Sequence, residues 1–418
     1  MKAETRNIWV IAAGYLVFLL LFLSHFGFNP SATINLGEKH LENYAGTVPS
    51  GLVIHHNDGF DGQYYYFMAL SPSFADVRGI APNFLQRIFY PFAAIALSLG
   101  YAPLFPIMLL LINFACAIVS SLMLMWLLRK YGSNQNWVMA WAFSVGILIS
   151  LSCNLTELMM ITWTIAAIYF LEKDRIWLSV LALACAFMTR ESALTLGVGF
   201  VFYFLMRLRF WRAIQYALSF IPYLLWEMYF SHRFGTVPFF RTSQAVSMPN
   251  LFAASDSAAP GFVNTAFDNV SGLKSISGAL QPSAMETLSH IYRTLSPWPI
   301  IAFILIIACI AIWNFFKEKG MAKKFSLYTV LLFSQLAFMV IINPKIMMTE
   351  GGEATGRYAL GLYTISFLYY AERGKKYSKI LAFLLIASAA AYIFQRAIVP
   401  KESYHISSAA GQTVLMNE

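Results

Sequence analysis

Uninterrupted apolar segments of about 15–25 residues recur along the whole chain, and they constrain its fold more than any other feature. In water such segments would aggregate, whereas in lipid each one satisfies its own backbone hydrogen bonds by forming a helix. The composition agrees, because 59% of the 418 residues are hydrophobic and 12% are charged, against about 25% charged in an average globular protein. The sequence therefore predicts an all-α, multi-pass integral membrane protein.

The net charge of +9 would suggest a nucleic-acid partner in a soluble protein, but here the Lys and Arg residues gather in short segments between the apolar runs. Such segments face the cytoplasm in membrane proteins, so no nucleic-acid partner is predicted. Placing Lys2, Arg6 and the basic clusters inside predicts about eleven spans, with the N-terminus inside and the C-terminus outside. The basic clusters are 129–130, 173–175, 207–212, 317–324 and 373–376, and the predicted spans are 8–28, 104–128, 136–152, 154–171, 176–188, 192–206, 213–230, 298–315, 325–342, 356–371 and 380–395.

One apolar segment, at positions 87–100, is only about a dozen residues long, which is short of the roughly 20 that a span needs. We predict that it forms a juxtamembrane or re-entrant helix in the first outer loop. The chain then divides into a transmembrane module at 1–230 with its first outer loop at 29–103, a long outer loop at 231–297, and C-terminal transmembrane helices at 298–418. The first apolar run is predicted to be a retained signal anchor, and no spacing of His or Cys indicates a metal site.

The first outer loop contains an unusual mixture of acidic, amide and aromatic residues in "HHNDGFDGQYYYFMALSP", positions 55–72. Asp61 is placed to cap a helix that runs from Gly62 to Leu70 and stops before Pro72. At helical spacing Asp61, Tyr64 and Tyr65 share one side of that helix. The structural interpretation is a capping aspartate on an interfacial helix with a tyrosine belt, and the functional one is an acid–base group. Asp58, in "NDG", fits a turn.

Further charged residues lie where apolar segments begin or end on the predicted outer side. Each has a structural explanation, as an interfacial anchor or as one half of a salt bridge between neighbouring residues or helices. Buried ionisable groups within membrane segments nevertheless mark functional sites by default, and these groups come from separate segments. The charged residues are Arg87 in "LQRIFYP", Glu157 in "CNLTELMM", Arg190 and Glu191 in "FMTRESAL", and Arg357 in "EATGRYAL", and the neutral Gln86 precedes Arg87.

The order of these elements resembles the bacterial integral-membrane GT-C glycosyltransferases, which use polyprenyl-phosphate sugars and include mannosyltransferase-like proteins of cell-surface glycan assembly. The resemblance rests on "GFDGQYYYFMALSP", then "LQRIFYPFAAIALSLG", "TEL" at a helix start and "FMTRESAL" between helices, and it covers roughly residues 1–230. It implies a GT-C-like helical fold in the bacterial inner membrane, with the active site facing outward. The partners it implies are a polyprenyl-phosphate-linked sugar donor, a glycan, lipid or protein acceptor, and membrane lipids.

In that family an aspartate of the first outer loop is the presumed catalytic base, and Asp61 is the matching position. Many members carry two adjacent acids there, whereas Gly59 and Phe60 separate Asp58 from Asp61 in this chain. The resemblance implies an inverting transfer in which arginines neutralise the leaving phosphate. Metal dependence varies in that superfamily, and because these basic residues could replace a cation, no metal or other cofactor is predicted to be required. The residues assigned to substrate binding are Asp58, Gln63, Tyr64, Tyr65, Gln86, Arg87, Glu157, Arg190, Glu191 and Arg357.

Three alternatives of other classes stay open, and one of them is a purely structural membrane scaffold. A transporter or flippase of lipid-linked saccharides would be expected to show broken helices in paired halves, and the second half of the chain contains no copy of the "TRES" hairpin. An O-antigen polymerase or ligase would be expected to concentrate arginines in a large late outer loop. The loop 231–297 contains few basic residues.

Overall fold

The computed structural model describes residues 3–43, 48–56, 58–74, 82–234, 297–320, 324–341, 351–374, 379–398, 404–407 and 414–416. The described part is mostly helical, as the apolar segments predict. The long loop 231–297 lies outside the described residues except at its two ends, as do Arg241, Lys345 and Glu350.

Among the described residues, helices cover the apolar segments, and four of these helices are long and apolar enough to cross a membrane: Glu4–Ser24, Ala102–Lys130, Pro297–Lys317 and Lys379–Ala397. The protein is therefore a membrane protein. The helices are α1 (Ala3–Ser24), α2 (Gly62–Leu70), α3 (Pro82–Leu85), α4 (Phe89–Leu97), α5 (Phe105–Lys130), α6 (Trp137–Ala142), α7 (Val145–Ser152), α8 (Glu157–Glu172), α9 (Ile176–Thr189), α10 (Ala193–Met206), α11 (Phe210–Ala217), α12 (Ile221–Phe234), α13 (Pro297–Lys317), α14 (Leu327–Ile341), α15 (Gly351–Tyr358), α16 (Leu360–Glu372) and α17 (Lys379–Ile393).

Several segments that were predicted as single spans are divided. The segment 136–152 breaks between α6 and α7, where Ser144 adopts an extended backbone. The segment 213–230 is covered by α11, a 3-10 turn at Leu218–Phe220, and α12. The apolar segment after Arg87 forms α4, a helix of nine residues that packs against α2 and α5. These breaks leave apolar segments in place but change the direction of the chain within them.

Charged pairs join the helix ends at one pole of the molecule. Arg129 at the end of α5 pairs with Glu4 at the start of α1, and Lys130 pairs with Glu172 at the end of α8 at 2.5 Å. Arg373, just after α16, binds Glu318, just after α13, through two nitrogens at 2.8 and 3.1 Å. We call these residues, with Glu372, the basal cluster. Each of them lies at a helix end that the charge pattern predicts to be cytoplasmic.

A small four-stranded sheet covers the opposite pole, and the sequence analysis did not predict it. Its strands are β1 (Leu36–Gly37), β2 (Val53–His55), β3 (Tyr404–Ile406) and β4 (Val414–Met416), in the order β1-β2-β3-β4. β1 and β2 are parallel, and the other two pairings are antiparallel. Because β2 lies in the first loop and β3 follows the last helix, the chain after α17 returns to the same side as loop 29–103.

Candidate functional site

The Asp61 carboxylate forms an ion pair instead of a helix cap. α2 spans Gly62–Leu70, as predicted, but Asp61 makes no side-chain hydrogen bond to the helix N-terminus. Its Oδ2 instead accepts a hydrogen bond from Nη1 of Arg357 at 2.5 Å, across 296 residues of sequence. The capping interpretation is therefore wrong for the side chain, and the first loop is held to α15 by a charge pair.

Glu157 lies at the centre of the charged residues and is 1% exposed. Its Oε1 is 2.9 Å from Nη1 of Arg190 and 3.6 Å from Nε of Arg357. Within the described residues neither Glu157 oxygen has a partner in hydrogen-bond geometry, so these contacts are ion pairs only. One carboxylate at the start of α8 therefore holds two arginines from segments far apart in the sequence.

A second arginine–glutamate pair adjoins the first. Nε and Nη2 of Arg87 donate to the two carboxylate oxygens of Glu191, at 2.8 and 2.5 Å, in the two-pronged geometry that a guanidinium favours. Nη1 of Arg87 donates to the Tyr65 hydroxyl at 2.9 Å. Thr156 closes the link, because its hydroxyl lies 3.3 Å from both the Tyr65 hydroxyl and Nη1 of Arg190.

We call this group the site cluster; it consists of Asp61, Arg87, Glu157, Arg190, Glu191 and Arg357. The salt bridge considered between Arg190 and its neighbour Glu191 does not form, because Arg190 pairs with Glu157 at the start of α8 and Glu191 pairs with Arg87 between α3 and α4. Adjacent residues at the turn after α9 point apart, which places one charge toward α8 and the other toward the first loop. Arg190 is 2% exposed and Arg87 is 4% exposed.

Asp61 and Glu191 are the acids of the site cluster that reach its solvent side, with side chains 18% and 21% exposed against 1% for Glu157. Burial disfavours the charged form of Asp61, but Arg357, Arg87 and Arg190 outweigh it and lower the pKa of its carboxyl. Burial likewise opposes ionisation of Glu191, and Arg87 prevails, so its pKa is also lowered. Both acids are therefore ionised at neutral pH.

Aromatic rings flank the arginines. The guanidinium of Arg357 lies between two rings, 5.1 Å from the centroid of Phe60 and 5.1 Å from that of Tyr358. Arg190 lies 5.4 Å from the same Tyr358 ring. Phe84 lies 4.9 Å from Arg87. Rings at this distance stabilise a cation without neutralising it, so the arginines keep their charge.

The other residues that were predicted to bind substrate lie outside the site cluster. Asp58 is 69% exposed and pairs with Lys39 at 2.8 Å, which lowers its pKa. Among the residues that the structure describes, it forms no ion pair with the three arginines of the site cluster. Gln63 holds the loop itself, because it accepts from the backbone of Gly37 and donates to the backbone of Asp58. Tyr64 packs its ring 4.5 Å from Phe84 and 5.7 Å from His40.

Gln86 accepts a hydrogen bond of 2.7 Å from the hydroxyl of Tyr223 on α12. The sequence analysis missed Tyr223, and with it Glu227 one turn later, because α12 was interpreted only as a span. The available signal was an acid within an apolar segment, the same signal that identified Glu157. Glu227 is 7% exposed, although its neighbour Met228 is 68% exposed.

Two glycines permit the close packing around Asp61. A Cβ on Gly62 would lie 2.3 Å from the carbonyl oxygen of Cys153, and one on Gly59 would lie 2.4 Å from that of Asn35. Gly59 also has φ of +68°, which disfavours any residue with a side chain. The two glycines of "DGFDG" are therefore required by the close packing of this loop.

Two other features do not compete for the site. An open apolar groove of about 560 Å³ between α10, α13 and α14 is lined by residues such as Phe202, Phe315 and Val330, none of which belongs to the site cluster. In the part of the chain that the structure describes, no three His, Cys, Asp or Glu side chains are placed to hold one metal ion.

No family model, no curated protein and no solved structure matches this chain. The function is therefore inferred from the geometry of the site cluster.

Proposed function

We propose that the chain is a GT-C-type membrane glycosyltransferase that moves a sugar from a polyprenyl-phosphate donor to a glycan, lipid or protein acceptor. The observation that carries the proposal is the Asp61–Arg357 pair: a loop carboxylate at the solvent side of a buried group of arginines. The acceptor oxygen forms a bond to the anomeric carbon while the carbon–phosphate oxygen bond breaks and its electron pair leaves with the phosphate. The acceptor proton passes to Asp61, and the configuration inverts.

The charges of the site cluster balance, with Arg87, Arg190 and Arg357 facing Asp61, Glu157 and Glu191. A donor phosphate must therefore compete with a carboxylate for its arginine. We propose that it takes Arg357 from Asp61, because that pair joins through one arginine nitrogen, whereas Arg87 is held at two oxygens of Glu191. The exchange frees Asp61 at the moment when a base is needed, and it raises the pKa of that carboxyl.

The leaving polyprenyl phosphate carries one more negative charge than the sugar-bearing donor. Arg357 and Arg190 converge on Glu157, and Arg357 is 5% exposed, so a phosphate here would meet guanidinium groups with little screening by water. Charge-assisted hydrogen bonds of this kind stabilise the transition state more than the ground state, because the charge on the phosphate grows. Arg87 serves as a positioning residue that fixes Tyr65 and Glu191.

The fold also supports the proposed membrane placement, with about eleven spans and the site cluster on the outer side of a bacterial inner membrane. Helix ends with predicted cytoplasmic charges meet in the basal cluster, and the site cluster lies at the other end of α8 and in α15, just before α16. α8 has 16 residues, which at 1.5 Å per residue separates its two ends by about 23 Å. A nucleotide sugar is absent from that outer side, which favours a lipid-carried donor.

The test is sugar transfer by the purified protein with a panel of radiolabelled polyprenyl-phosphate sugars, run in detergent and in sealed vesicles. The proposal expects product formation in detergent, where no membrane separates two compartments. A flippase gives no product in detergent and moves the labelled lipid across the vesicle membrane. Absence of transfer with the whole panel by a folded protein that moves the lipid would overturn the proposal.

A further inference from the structure

A second polar face adjoins the site cluster and comes from α12. Leu224, Leu225 and Met228 on this helix are 54%, 59% and 68% exposed, which is the pattern of a surface that faces lipid. Tyr223 and Glu227, four residues apart on the opposite face, are 3% and 7% exposed. A carboxylate turned inward on an apolar helix is costly unless it meets polar partners. On this face of α12, Glu227 interacts with Tyr223.

Known contacts link that face to the site cluster. The Tyr223 hydroxyl donates to Oε1 of Gln86 at 2.7 Å, and Gln86 precedes Arg87 in the chain. Glu227 and Glu191 both interact electrostatically with Tyr223. The face therefore lies beside the Arg87–Glu191 pair.

Several buried polar atoms in this region have no hydrogen-bond partner among the described residues. They are Nε2 of Gln86, Oγ of Ser192 and Nε1 of Trp226. Gln86 is 1% exposed and Ser192 is 8% exposed. Leaving such a group unsatisfied is destabilising. Tyr223 fixes the amide of Gln86, which therefore presents its second polar atom to a ligand.

We infer that Gln86, Ser192, Tyr223, Trp226 and Glu227 form a subsite that binds the hydroxyl groups of the transferred sugar; this inference rests on the proposed function. The chemistry selects the ligand class. Amide, hydroxyl and indole groups offer donors, while Glu227 offers an acceptor, and a sugar hydroxyl both donates and accepts. An anionic phosphate is disfavoured because Glu191 and Glu227 would repel it. An isoprenoid chain would satisfy none of these polar groups.

The experiment compares binding of two kinds of probe to the full-length protein in detergent. One probe is undecaprenyl phosphate, and the others are undecaprenyl phosphate bearing mannose, glucose or N-acetylglucosamine. We expect the wild type to bind at least one sugar-bearing lipid more tightly than the bare lipid. Glu227→Gln should lose about 10–100-fold of that preference and Tyr223→Phe about 3–10-fold, because the lost hydrogen bonds involve a charged and a neutral group respectively.

Tyr216→Phe is the matched control, because Tyr216 is also buried, seven residues earlier, and makes one hydrogen bond of 2.6 Å with Ser179. It should leave the sugar preference unchanged. Binding of the bare lipid should be unchanged in all three variants. If Glu227→Gln does not fold, Tyr223→Phe alone decides the question, since it removes only a hydroxyl.

The outcomes separate the two proposals. Variants that keep the full sugar preference would overturn the subsite, and so would a wild type that binds the bare lipid but shows no preference for any sugar. In both cases the phosphate site of the proposed function survives. A wild type that binds none of the lipids would instead overturn the proposed function, and the subsite with it.

Discussion

The site cluster and the basal cluster lie at opposite ends of the same helices, yet water reaches them very differently. α8 begins with Glu157, whose side chain is 1% exposed, and ends with Glu172, whose side chain is 17% exposed. In the basal cluster Arg129 and Glu4 are 54% and 33% exposed. The two clusters use the same residue types, so the difference between these pairs lies in desolvation. The Arg373–Glu318 pair of the basal cluster is the exception, because its side chains are only 9% and 18% exposed.

Desolvation decides what each cluster can contribute. Partly solvated pairs are worth about 0–1 kcal/mol, and they suit basic residues that anchor helix ends at a membrane surface. A fully buried pair regains little or none of its desolvation cost, and apolar residues of the same size would often be as stable. Stability alone therefore accounts for the basal cluster but not for the site cluster.

The largest effect on stability should come from Glu157. Glu157→Gln leaves Arg190 and Arg357 without their shared buried counter-charge, and breaking a buried pair typically costs about 3–5 kcal/mol. The measurement is the free energy of unfolding in detergent. Glu4→Gln in the basal cluster is the control and should cost about 0–1 kcal/mol. Equal effects at the two positions would show that burial does not distinguish the clusters.

Exchanging arginine for lysine should separate the clusters by activity. Arg357→Lys should lower kcat/KM by about 10–100-fold, since lysine cannot present a planar fork to a phosphate in a partly dry site. Arg373→Lys is matched in burial, with side chains 9% and 6% exposed, and should keep kcat/KM near the wild-type value. Similar losses in both variants would remove Arg357 as a phosphate ligand.

The dependence of turnover on pH sharpens the same comparison. In the free protein the pKa of Asp61 is lowered, so protonation should abolish kcat/KM only below the usual carboxyl range of about 4. In the donor complex Arg357 is engaged by phosphate, the pKa rises, and the acid limb of kcat should lie at higher pH than that of kcat/KM. Coincident limbs would contradict the exchange of partners.

Acid should also weaken the fold through the site cluster. The folded-state pKa values of Asp61 and Glu191 are lowered, so their stabilising contribution is complete above the ordinary carboxyl pKa and is lost as the pH falls through the folded-state values. Denaturation midpoints recorded between about pH 6 and 3 should fall on acidification. The fall should be smaller in Asp61→Asn, and an identical fall would exclude Asp61 as its source.

The smallest effects are expected from two cysteine variants, which test the side of the membrane that each cluster faces. Asp58→Cys, at an exposed position near the site cluster, should react with an impermeant thiol reagent from outside the cell. Asp174→Cys, at the exposed turn after α8, should react only after the membrane is opened. Activity should be unchanged in both. Labelling of position 174 from outside would invert the predicted topology.

The sequence predicted the residues of the site cluster better than it predicted their partners. An acid or arginine within an apolar segment is visible in one dimension, and the start of α8 at Glu157 and the bounds of α2 follow from local signals. Pairings such as Asp61 with Arg357 join positions 296 residues apart, and no local pattern encodes them. Of the two salt bridges considered for Arg190, the one with Glu191 is not observed, and the one across helices has its partner, Glu157, 33 residues away.

The small sheet and the breaks in the helices could not be predicted from the sequence either. Strands of two or three residues carry too little alternation to be predicted, and β2 finds its partner β3 only when the chain end returns. The division between α6 and α7 contains no proline, so its cause lies in tertiary packing. Tyr223 and Glu227 were missed because one acid in a span was interpreted as part of an apolar segment.

The central claim is that Asp61, one of the two acids at the solvent side of the site cluster, is the catalytic base, and one measurement tests it most directly. Turnover is compared in Asp61→Asn and Asp58→Asn, two aspartates of the same loop that differ in surroundings. We expect that Asp61→Asn folds, binds the donor and loses about 10²–10⁴-fold in kcat, while Asp58→Asn retains nearly the wild-type rate. A nearly unchanged rate in Asp61→Asn, with a loss in Asp58→Asn, would contradict it.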